Sequence, residues 1–286
     1  MKIYIDGRYY SKEDAKISVY DHGLLYGDGV FEGIRIYHGT VFRLREHCER
    51  LYRSANAILI RIPITIEEME RAVIDTVALN NKKNAYIRLI VTRGVGNLGV
   101  NPLTCEKPSI IIIVDDIQLY PEEYYAKGIN IITASTRRIA SDSLDPRIKS
   151  LNYLNNVLAK IEAIQSGCLE AVMLNQNGYI SECTGDNISI VTDGTIMTPA
   201  SHYGALNGIT KGAVIALAEK LGIPCRETAL TQYDLYTADE CFLTGTGAEI
   251  MPVVSIDGRL IGNGMPGEIT KRLIASFSEE IAAQSG

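Results

Sequence analysis

Apolar and polar residues alternate over short stretches in the first part of the chain, which predicts β-strands that are buried on one face. Turn signals separate these stretches, as at Asp6-Gly7 and at His38-Gly39-Thr40. Two further runs are almost wholly apolar and predict fully buried strands. The predicted strands of this part are Lys2–Ile5, Gly33–Tyr37, Val41–Phe42, Ala85–Thr92 and Ser109–Val114.

Two stretches in the same part have the helical period instead. Apolar residues recur on one stripe of Arg45–Ile58, and a second helix is predicted at Ile66–Asn80. Thr65 precedes the second stretch and Glu68 follows three residues later, which is the capping-box pattern of a helix N-terminus. These elements predict an α+β unit of about 115 residues.

Beyond residue 127, short strands alternate with helices. Asn177-Gly178 and Asp193-Gly194 are turn signals, and Gly222 with Pro224 ends a helix. The predicted strands are Ile129–Ser135, Glu170–Leu174, Tyr179–Cys183, Ile188–Val191 and Glu240–Thr244, and the predicted helices are Asn152–Gln165, Lys211–Leu221 and Pro266–Ile281. This mixture favours an α+β or barrel-like domain over a Rossmann unit. Gly94-Val-Gly96 is not a dinucleotide loop, because no helix pattern follows it.

The change of pattern between these parts predicts two domains. We assign residues 1–117 to a smaller N-terminal domain and residues 128–286 to a larger one. The polar and aromatic stretch 118–127 contains Pro121 and is interpreted as the interdomain linker.

The composition is that of a globular protein, with 46% apolar and 22% charged residues among 286. The net charge of −6 argues against a nucleic-acid-binding protein, which normally carries a basic face. No run of about 18 apolar residues occurs, so we expect no membrane-spanning helix. The N-terminus lacks the apolar core of a signal peptide, and we expect a cytoplasmic protein. The six cysteines and four histidines show no metal-binding spacing, which predicts reduced thiols and no metal site.

One lysine lies in an otherwise apolar and amide-rich segment, Arg147-Ile-Lys-Ser-Leu-Asn-Tyr153. Burial among apolar neighbours favours the neutral amine of Lys149, which is the form that Schiff-base chemistry requires. Glu182 follows at the end of a strand-like run, and a carboxylate is the usual partner of the pyridine nitrogen of pyridoxal 5'-phosphate (PLP). Taken singly, Lys149 also fits a solvated surface charge and Glu182 an ordinary strand end.

Two turns have the composition of a phosphate-binding site. Leu206-Asn-Gly-Ile-Thr-Lys211 leads into a predicted helix, whose free N–H groups attract anions, with Gly208 for close approach and Thr210 for a hydroxyl. Leu243-Thr-Gly-Thr-Gly-Ala248 brackets Thr246 with glycines and can present consecutive N–H groups. Each turn also fits an ordinary helix cap or loop.

A cation for the same phosphate is available in the first part of the chain. Arg50 lies on the amphipathic helix predicted at residues 45–58, and arginine binds phosphate through two donors. A solvated arginine on a helix face is the alternative interpretation of this residue.

Together these features resemble the class IV (fold type IV) PLP-dependent aminotransferases, and within them the branched-chain amino acid aminotransferases most. The run Tyr20–Arg35 is close to the first-domain pattern of that subfamily, and Tyr86-Ile-Arg88 and Gly99-Val-Asn-Pro102 match it as well. The resemblance extends from Asp6-Gly7 to Val254. It implies a two-domain α+β fold with a small N-terminal α/β sandwich and a large C-terminal, cofactor-binding pseudo-barrel.

The resemblance also implies roles for single residues. Lys149 would form the internal aldimine with PLP and move the substrate proton, Glu182 would keep the pyridine nitrogen protonated, and Tyr153 would bond the phenolic oxygen. The residues expected to bind the cofactor are Arg50, Lys149, Tyr153, Glu182, Leu206, Gly208, Ile209, Thr210 and Thr246. The residues expected to bind the substrate are Tyr26, Phe31, Gly33, Arg35, Tyr86, Arg88, Thr246, Gly247 and Ala248.

The implied activity is ping-pong transamination between leucine, isoleucine or valine and 2-oxoglutarate. A homodimer or a higher homo-oligomer is implied, with no nucleic-acid or membrane partner. The sequence departs from the family pattern at Cys183-Thr184 and at Gly247, where other small residues are common. The alternatives are a D-amino acid or (R)-amine transaminase or an aminodeoxychorismate lyase on the same fold, and a non-catalytic PLP-binding or scaffold protein. The run Phe31–Arg35 argues against the other enzymes, and the presence of both Lys149 and Glu182 argues against the scaffold.

Overall fold

The computed structural model describes residues 1–117 and 120–284, which divide into two compact units. The first unit contains residues 1–117 and 148–152, and the second contains residues 120–147 and 153–283. The segment 148–152 was expected in the larger domain, but it joins the first unit because its backbone pairs with the first unit's sheet. Of the predicted linker 118–127, residues 118 and 119 lie outside the described residues, and Glu122–Lys127 is a helix.

A six-stranded sheet forms the centre of the first unit, in the order β2-β1-β6-β5-β3-β4, and all its pairs are antiparallel. Its strands are β1 (Lys2–Ile5), β2 (Arg8–Ser11), β3 (Gly29–Tyr37), β4 (Thr40–Val41), β5 (Ala85–Thr92) and β6 (Ser109–Asp115). Its helices are α1 (His22–Tyr26), α2 (Leu44–Ala57) and α3 (Ile66–Asn80). Helices α2 and α3 pack on one face of this sheet and bury the apolar core of the unit.

A nine-stranded sheet forms the centre of the second unit, in the order β12-β11-β10-β13-β14-β7-β8-β9, with β15 paired to β14. Its strands are β7 (Ile129–Thr133), β8 (Glu170–Leu174), β9 (Ile180–Cys183), β10 (Asn187–Thr192), β11 (Thr195–Pro199), β12 (Cys225–Thr228), β13 (Glu240–Gly245), β14 (Glu249–Ile256) and β15 (Arg259–Leu260). Its helices are α4 (Glu122–Lys127), α5 (Leu154–Gln165), α6 (Ile209–Lys220), α7 (Gln232–Tyr236) and α8 (Glu268–Gln284).

The second sheet curls on itself, because β9 at one end of the order turns tightly into β10 in its middle. The N–H of Cys183 donates to the carbonyl of Asp186 across this turn, at 2.7 Å. Strands β7, β8 and β14 run parallel, and most other pairs are antiparallel hairpins. The α+β class and the curled second sheet are therefore confirmed.

Most long elements match their predicted bounds to within two residues. The capping box of α3 is present, since Thr65 Oγ1 accepts from the Glu68 N–H and Glu68 Oε2 accepts from the Thr65 N–H. Strand β3 begins four residues earlier than predicted, at Gly29. Within residues 1–117 and 120–284, no helix is long and apolar enough to cross a membrane, and no metal-binding cluster occurs.

Candidate functional site

Lys149 lies in the segment that pairs with β3 in the first unit. The Lys149 carbonyl accepts from the Phe31 N–H at 3.0 Å, and Val30 forms a β-bridge with Ser150. The Lys149 N–H donates to Ser54 Oγ at 3.2 Å. Its amine lies 4.6 Å from the centre of the Phe31 ring. The backbone on both sides of Lys149 is thus fixed, and the amine lies over an aromatic face.

A buried ionic cluster lies on the helix side of the same sheet. Arg50 on α2 donates from Nε and Nη2 to the two carboxylate oxygens of Glu32 on β3, each at 2.7 Å. His47 Nδ1 lies 2.7 Å from Glu32 Oε2. Glu32 is completely buried, and His47 is 1% exposed. Arg50, predicted for the phosphate, is therefore held by a carboxylate in a fixed direction.

The charges in this cluster determine its protonation. Burial acts to raise the pKa of Glu32, but Arg50 and His47 lower it to about 2. Burial lowers the pKa of His47, and the charges of Arg50 and Lys149 add to this effect against the opposing attraction of Glu32. At neutral pH the cluster therefore contains a carboxylate, a guanidinium and a neutral imidazole.

Five of the residues predicted to bind substrate share the other face of β3 and β5. Phe31, Gly33 and Arg35 alternate on β3, and the register places Arg88 opposite Gly33 and Tyr86 opposite Arg35. The Arg88 guanidinium lies 4.6 Å from the centre of the Phe31 ring and 5.4 Å from that of Tyr86. A Cβ at Gly33 would lie 1.7 Å from the Tyr86 hydroxyl, so only glycine leaves room for that ring. This face of β3 and β5 therefore combines the aromatic rings of Phe31 and Tyr86 with the guanidinium groups of Arg35 and Arg88.

Tyr26 ends the short helix α1 and is partly exposed. Its hydroxyl accepts from the Gly99 N–H at 2.6 Å. Asp21 caps this helix by accepting from the Gly23 N–H and also accepts from Thr92 Oγ1. The position of Tyr26 is thus fixed by contacts at both ends of α1.

In the second unit, Glu182 is 5% exposed at the centre of a hydrogen-bond network. Arg138 Nη2 lies 2.8 Å from Glu182 Oε1. The other oxygen, Oε2, accepts from the Leu206 N–H at 2.8 Å and from Asn187 Nδ2 at 3.2 Å. Glu182 is therefore an orientated, charge-paired carboxylate and not an exposed strand end.

The turn at 206–210 is connected to this network. Asn187 Nδ2 also donates to the Leu206 carbonyl at 2.9 Å. Gly208 is the N-cap of α6 and provides no side-chain cap, and a Cβ on it would lie 2.0 Å from Asn187 Oδ1. Ile209 and Thr210, in the first turn of α6, are buried. The uncapped N-terminus of this helix suits an anion.

The second predicted turn joins β13 to β14. It contains Thr246, Gly247 and Ala248, and Ala248 is 2% exposed. Gly245 ends β13, and a Cβ there would lie 1.8 Å from Asp186 Oδ1. Tyr153 lies elsewhere in the unit, at the N-cap of α5, and is half-buried.

The predicted residues thus form two groups, one in each unit. The first unit contains Tyr26, Phe31, Gly33, Arg35, Arg50, Tyr86, Arg88 and Lys149. The second unit contains Tyr153, Glu182, Leu206, Gly208, Ile209, Thr210, Thr246, Gly247 and Ala248.

The sequence analysis did not predict the polar residues that hold Arg50 and Glu182 in place. Glu32 and His47 support Arg50, and Arg138 and Asn187 support Glu182. Glu32 had a signal, because it is a charged residue within an apolar strand and such a charge needs a partner when buried. Arg138 and Asn187 carried no comparable signal, since both lie in ordinary polar surroundings along the sequence.

Comparison with known proteins places the chain in a family. Residues 29–256 match the family described as amino-transferase class IV. The "Putative branched-chain-amino-acid aminotransferase" of Methanocaldococcus jannaschii is 53% identical over 279 residues, which are 98% of this chain and 96% of that protein. The D-alanine aminotransferase of Listeria monocytogenes serotype 4b is 39% identical over 289 residues, which cover 100% of this chain and 98% of that protein.

Solved structures give the same result. The crystal structure of Escherichia coli branched-chain amino acid aminotransferase matches with a TM-score of 0.96 and 39% identity, covering 100% of this chain and 96% of that chain. The crystal structure of the T.th. branched-chain amino acid aminotransferase with pyridoxamine 5'-phosphate matches with a TM-score of 0.95 and 38% identity, covering 99% of this chain and 94% of that chain. The chain therefore belongs to the class IV aminotransferase family.

Proposed function

We propose that the chain is a PLP-dependent branched-chain L-amino acid:2-oxoglutarate aminotransferase. The observation that carries the proposal is the face shared by Phe31, Tyr86 and Arg88, where aromatic rings lie directly against a guanidinium. One substrate of this reaction has an apolar branched side chain and the other has a γ-carboxylate. A face of this composition suits both, because the rings contact the apolar group and the cation attracts the carboxylate.

The residues of the chain fit PLP. Glu182 is a buried carboxylate held by hydrogen-bond donors, as a partner of a pyridinium nitrogen should be. Gly208 leaves the N-terminus of α6 uncapped, and Thr210 lies in its first turn, as a phosphate site requires. We assign the phosphate to Arg50, Leu206, Gly208, Ile209, Thr210 and Thr246, and the phenolic oxygen to Tyr153.

We assign each part of the reaction to particular residues of the chain. PLP, when bound, supplies an electron sink that stabilises negative charge at the substrate Cα. Lys149 would bind the cofactor and, once released by the substrate amine, would take the proton from the substrate Cα and deliver it to C4′ of the cofactor. Glu182 would accept a hydrogen bond from the protonated ring nitrogen. The N–H groups of Thr246 and Gly247, next to Ala248, bind the substrate α-carboxylate.

The first unit provides the remaining substrate contacts. Phe31 and Gly33 contact the substrate side chain, and Gly33 makes room for the Tyr86 ring. We assign the γ-carboxylate of 2-oxoglutarate or glutamate to Arg88, Tyr86 and Tyr26. Arg35 lies on the same face of β3 and β5 as Arg88 and adds positive charge there. We further propose a cytoplasmic homodimer as the minimum assembly.

A D-amino acid aminotransferase is the second candidate. It is favoured by the full-length likeness to the Listeria D-alanine aminotransferase, whose identity of 39% is close to the 40% of the Escherichia coli branched-chain enzyme. The 53% identity to the M. jannaschii protein favours the first proposal.

The visible spectrum of the PLP-loaded protein tests both candidates. We expect L-leucine to abolish the yellow absorbance band and 2-oxoglutarate to restore it, with D-leucine and D-alanine inert. Bleaching by the D enantiomers alone would support the second candidate. A protein that remained colourless after incubation with PLP would contradict both.

A further inference from the structure

We propose that Arg138 is a positioning residue that provides the counter-charge of Glu182 and orientates its carboxylate toward the cofactor ring. The inference deepens the proposed function, on which it rests, because it concerns the residue assigned to the ring nitrogen. Arg138 and Glu182 are each 5% exposed, so the pair is buried. Their nearest oxygen and nitrogen, Oε1 and Nη2, are 2.8 Å apart.

Arg138 is itself held at each nitrogen of its guanidinium. Nη1 donates to Asn156 Oδ1 at 2.8 Å, and Nε donates to the Gly204 carbonyl at 3.4 Å. Asn156 in turn donates from Nδ2 to the Thr184 carbonyl at 2.8 Å, two residues beyond Glu182. The guanidinium plane is therefore fixed from three sides, and it presents Nη2 to the carboxylate in one direction.

Glu182 has room for one more donor. Among the described residues its carboxylate accepts from Arg138, from the Leu206 N–H and from Asn187. A carboxylate has about four acceptor positions. The one that remains matches the single N–H of a protonated pyridine ring.

The charge of Arg138 balances the charge of the buried Glu182 carboxylate. A buried carboxylate without a cation is costly and takes up a proton instead. A neutral Glu182 could not balance a pyridinium nitrogen, and the ring would then be a weaker electron sink. The Arg138 guanidinium beside Glu182 Oε1 is a permanent counter-charge, because arginine does not lose its proton under physiological conditions.

The test uses PLP itself and three variants of the full chain. Arg138→Met removes the charge and keeps the length, Arg138→Lys keeps the charge and loses the fork, and Arg137→Met changes the exposed neighbour as a control. The readouts are the PLP dissociation constant and the pH midpoint of the visible band of the bound cofactor. For Arg138→Met we expect the PLP dissociation constant to rise about tenfold and the pH midpoint of the visible band to shift by about one pH unit. Arg138→Lys should lie between this variant and the parent, and Arg137→Met should match the parent.

A second background separates positioning from general structural support. If Arg138 acts through Glu182, the effects of Arg138→Met should largely disappear when it is introduced into Glu182→Gln. Equal effects in both backgrounds would overturn the inference. If Arg138→Met does not fold, Arg138→Lys in the same two backgrounds carries the test.

The parent protein distinguishes this inference from the proposed function. A parent chain that binds no PLP would overturn the proposed function and the inference with it. A parent that binds PLP and reacts with L-leucine, while Arg138→Met and Arg138→Lys show the parent's dissociation constant and midpoint, would overturn the inference alone.

Discussion

Arg50 binds Glu32 through two parallel hydrogen bonds, from Nε to Oε1 and from Nη2 to Oε2, each 2.7 Å long. The pair joins α2 to β3 on the helix side of the first sheet. The substrate residues Phe31 and Gly33 flank Glu32 in sequence and point to the opposite face, because side chains alternate along a strand. One strand therefore supports a phosphate-binding candidate on one face and a substrate-binding candidate on the other.

Replacing Glu32 should destabilise the protein strongly. Glu32→Gln leaves the partly buried Arg50 guanidinium without its fully buried counter-charge, and we expect a loss of about 3–5 kcal/mol in the free energy of unfolding. Glu49→Gln is the matched control on α2, because Glu49 is an exposed partner of Arg45 and Arg53 and should change stability by about 0.5 kcal/mol or less. Urea unfolding of the two variants gives both values. Similar losses would mean that the Glu32 pair is no more important than a surface ion pair.

The effect of Glu32→Gln should depend on pH. The pKa of Glu32 is about 2 in the folded protein and 4.5 in its reference state. A carboxyl with a lowered folded pKa stabilises the fold above the unfolded pKa, and this contribution is lost as the pH falls through the interval. The difference in unfolding free energy between parent and variant should therefore be constant from pH 7 to about 5 and shrink toward pH 2. A difference that stayed constant over the whole range would contradict the assigned charge state.

His47 should add a pH dependence at higher pH. Burial lowers the pKa of its imidazole in the folded protein below the reference value of 6.5, so the unfolded chain takes up a proton first as the pH falls. The fold therefore loses stability below about pH 6.5. His47→Gln should flatten the stability profile in this interval, whereas His202→Gln, at an exposed histidine, should not. Urea unfolding between pH 7 and pH 5 measures both slopes, and equal slopes in parent and His47→Gln would count against the buried neutral imidazole.

Lys149→Ala should abolish turnover while keeping the fold. The amine of Lys149 is assigned both to cofactor binding and to proton transfer, and we expect kcat for leucine to fall by roughly 10⁴-fold or more. Lys127→Ala, at an exposed lysine of α4, should keep parental activity. Thermal unfolding by circular dichroism should give similar transitions for both variants and the parent. Retention of full activity by a folded Lys149→Ala protein would remove the assignment.

Gly208, at the N-cap of α6, and Gly212, within α6, should respond in opposite directions to alanine. A Cβ at Gly208 would lie 2.0 Å from Asn187 Oδ1, and Asn187 is tied to Glu182 and Leu206, so Gly208→Ala should cost about 1–3 kcal/mol and weaken PLP binding. A Cβ at Gly212 would meet no atom within 4 Å, so Gly212→Ala should stabilise the helix by about 0.5–1 kcal/mol. Urea unfolding and PLP titration of both variants check this contrast. Unchanged PLP affinity in Gly208→Ala would argue against a phosphate at this turn.

Gly33→Ala should alter substrate binding more than stability. The added Cβ would lie 1.7 Å from the Tyr86 hydroxyl, which is the end of a movable side chain, so the ring is expected to swing away. We expect KM for leucine to rise about tenfold with a smaller change in kcat. The same assay of Gly212→Ala should give parental values. A KM that did not change would show that the Tyr86 ring is not part of the leucine site.

The sequence by itself determined most of the local elements and indicated candidate residues for the chemistry. Helix α3 and strands β5 and β8 occur at their predicted bounds, because a continuous periodic pattern and a capping box are local signals. Short elements such as α1 and β2 were missed, because stretches of four or five residues carry little periodicity. Lys149, Glu182 and the two glycine-containing turns are site candidates that follow from residue types and from the resemblance to a family.

Only the tertiary structure decided which polar residues support candidate site residues such as Glu182 and Arg50. Arg138 meets Glu182, and Glu32 meets Arg50, through the pairing of strands and the packing of a helix on a sheet. Such contacts join positions far apart in the chain, and a shift of one residue in the strand register would reverse the face to which each side chain points. Burial then makes each unpaired charge costly, so the partner of a buried ion is fixed by the fold and cannot be seen in the local sequence pattern.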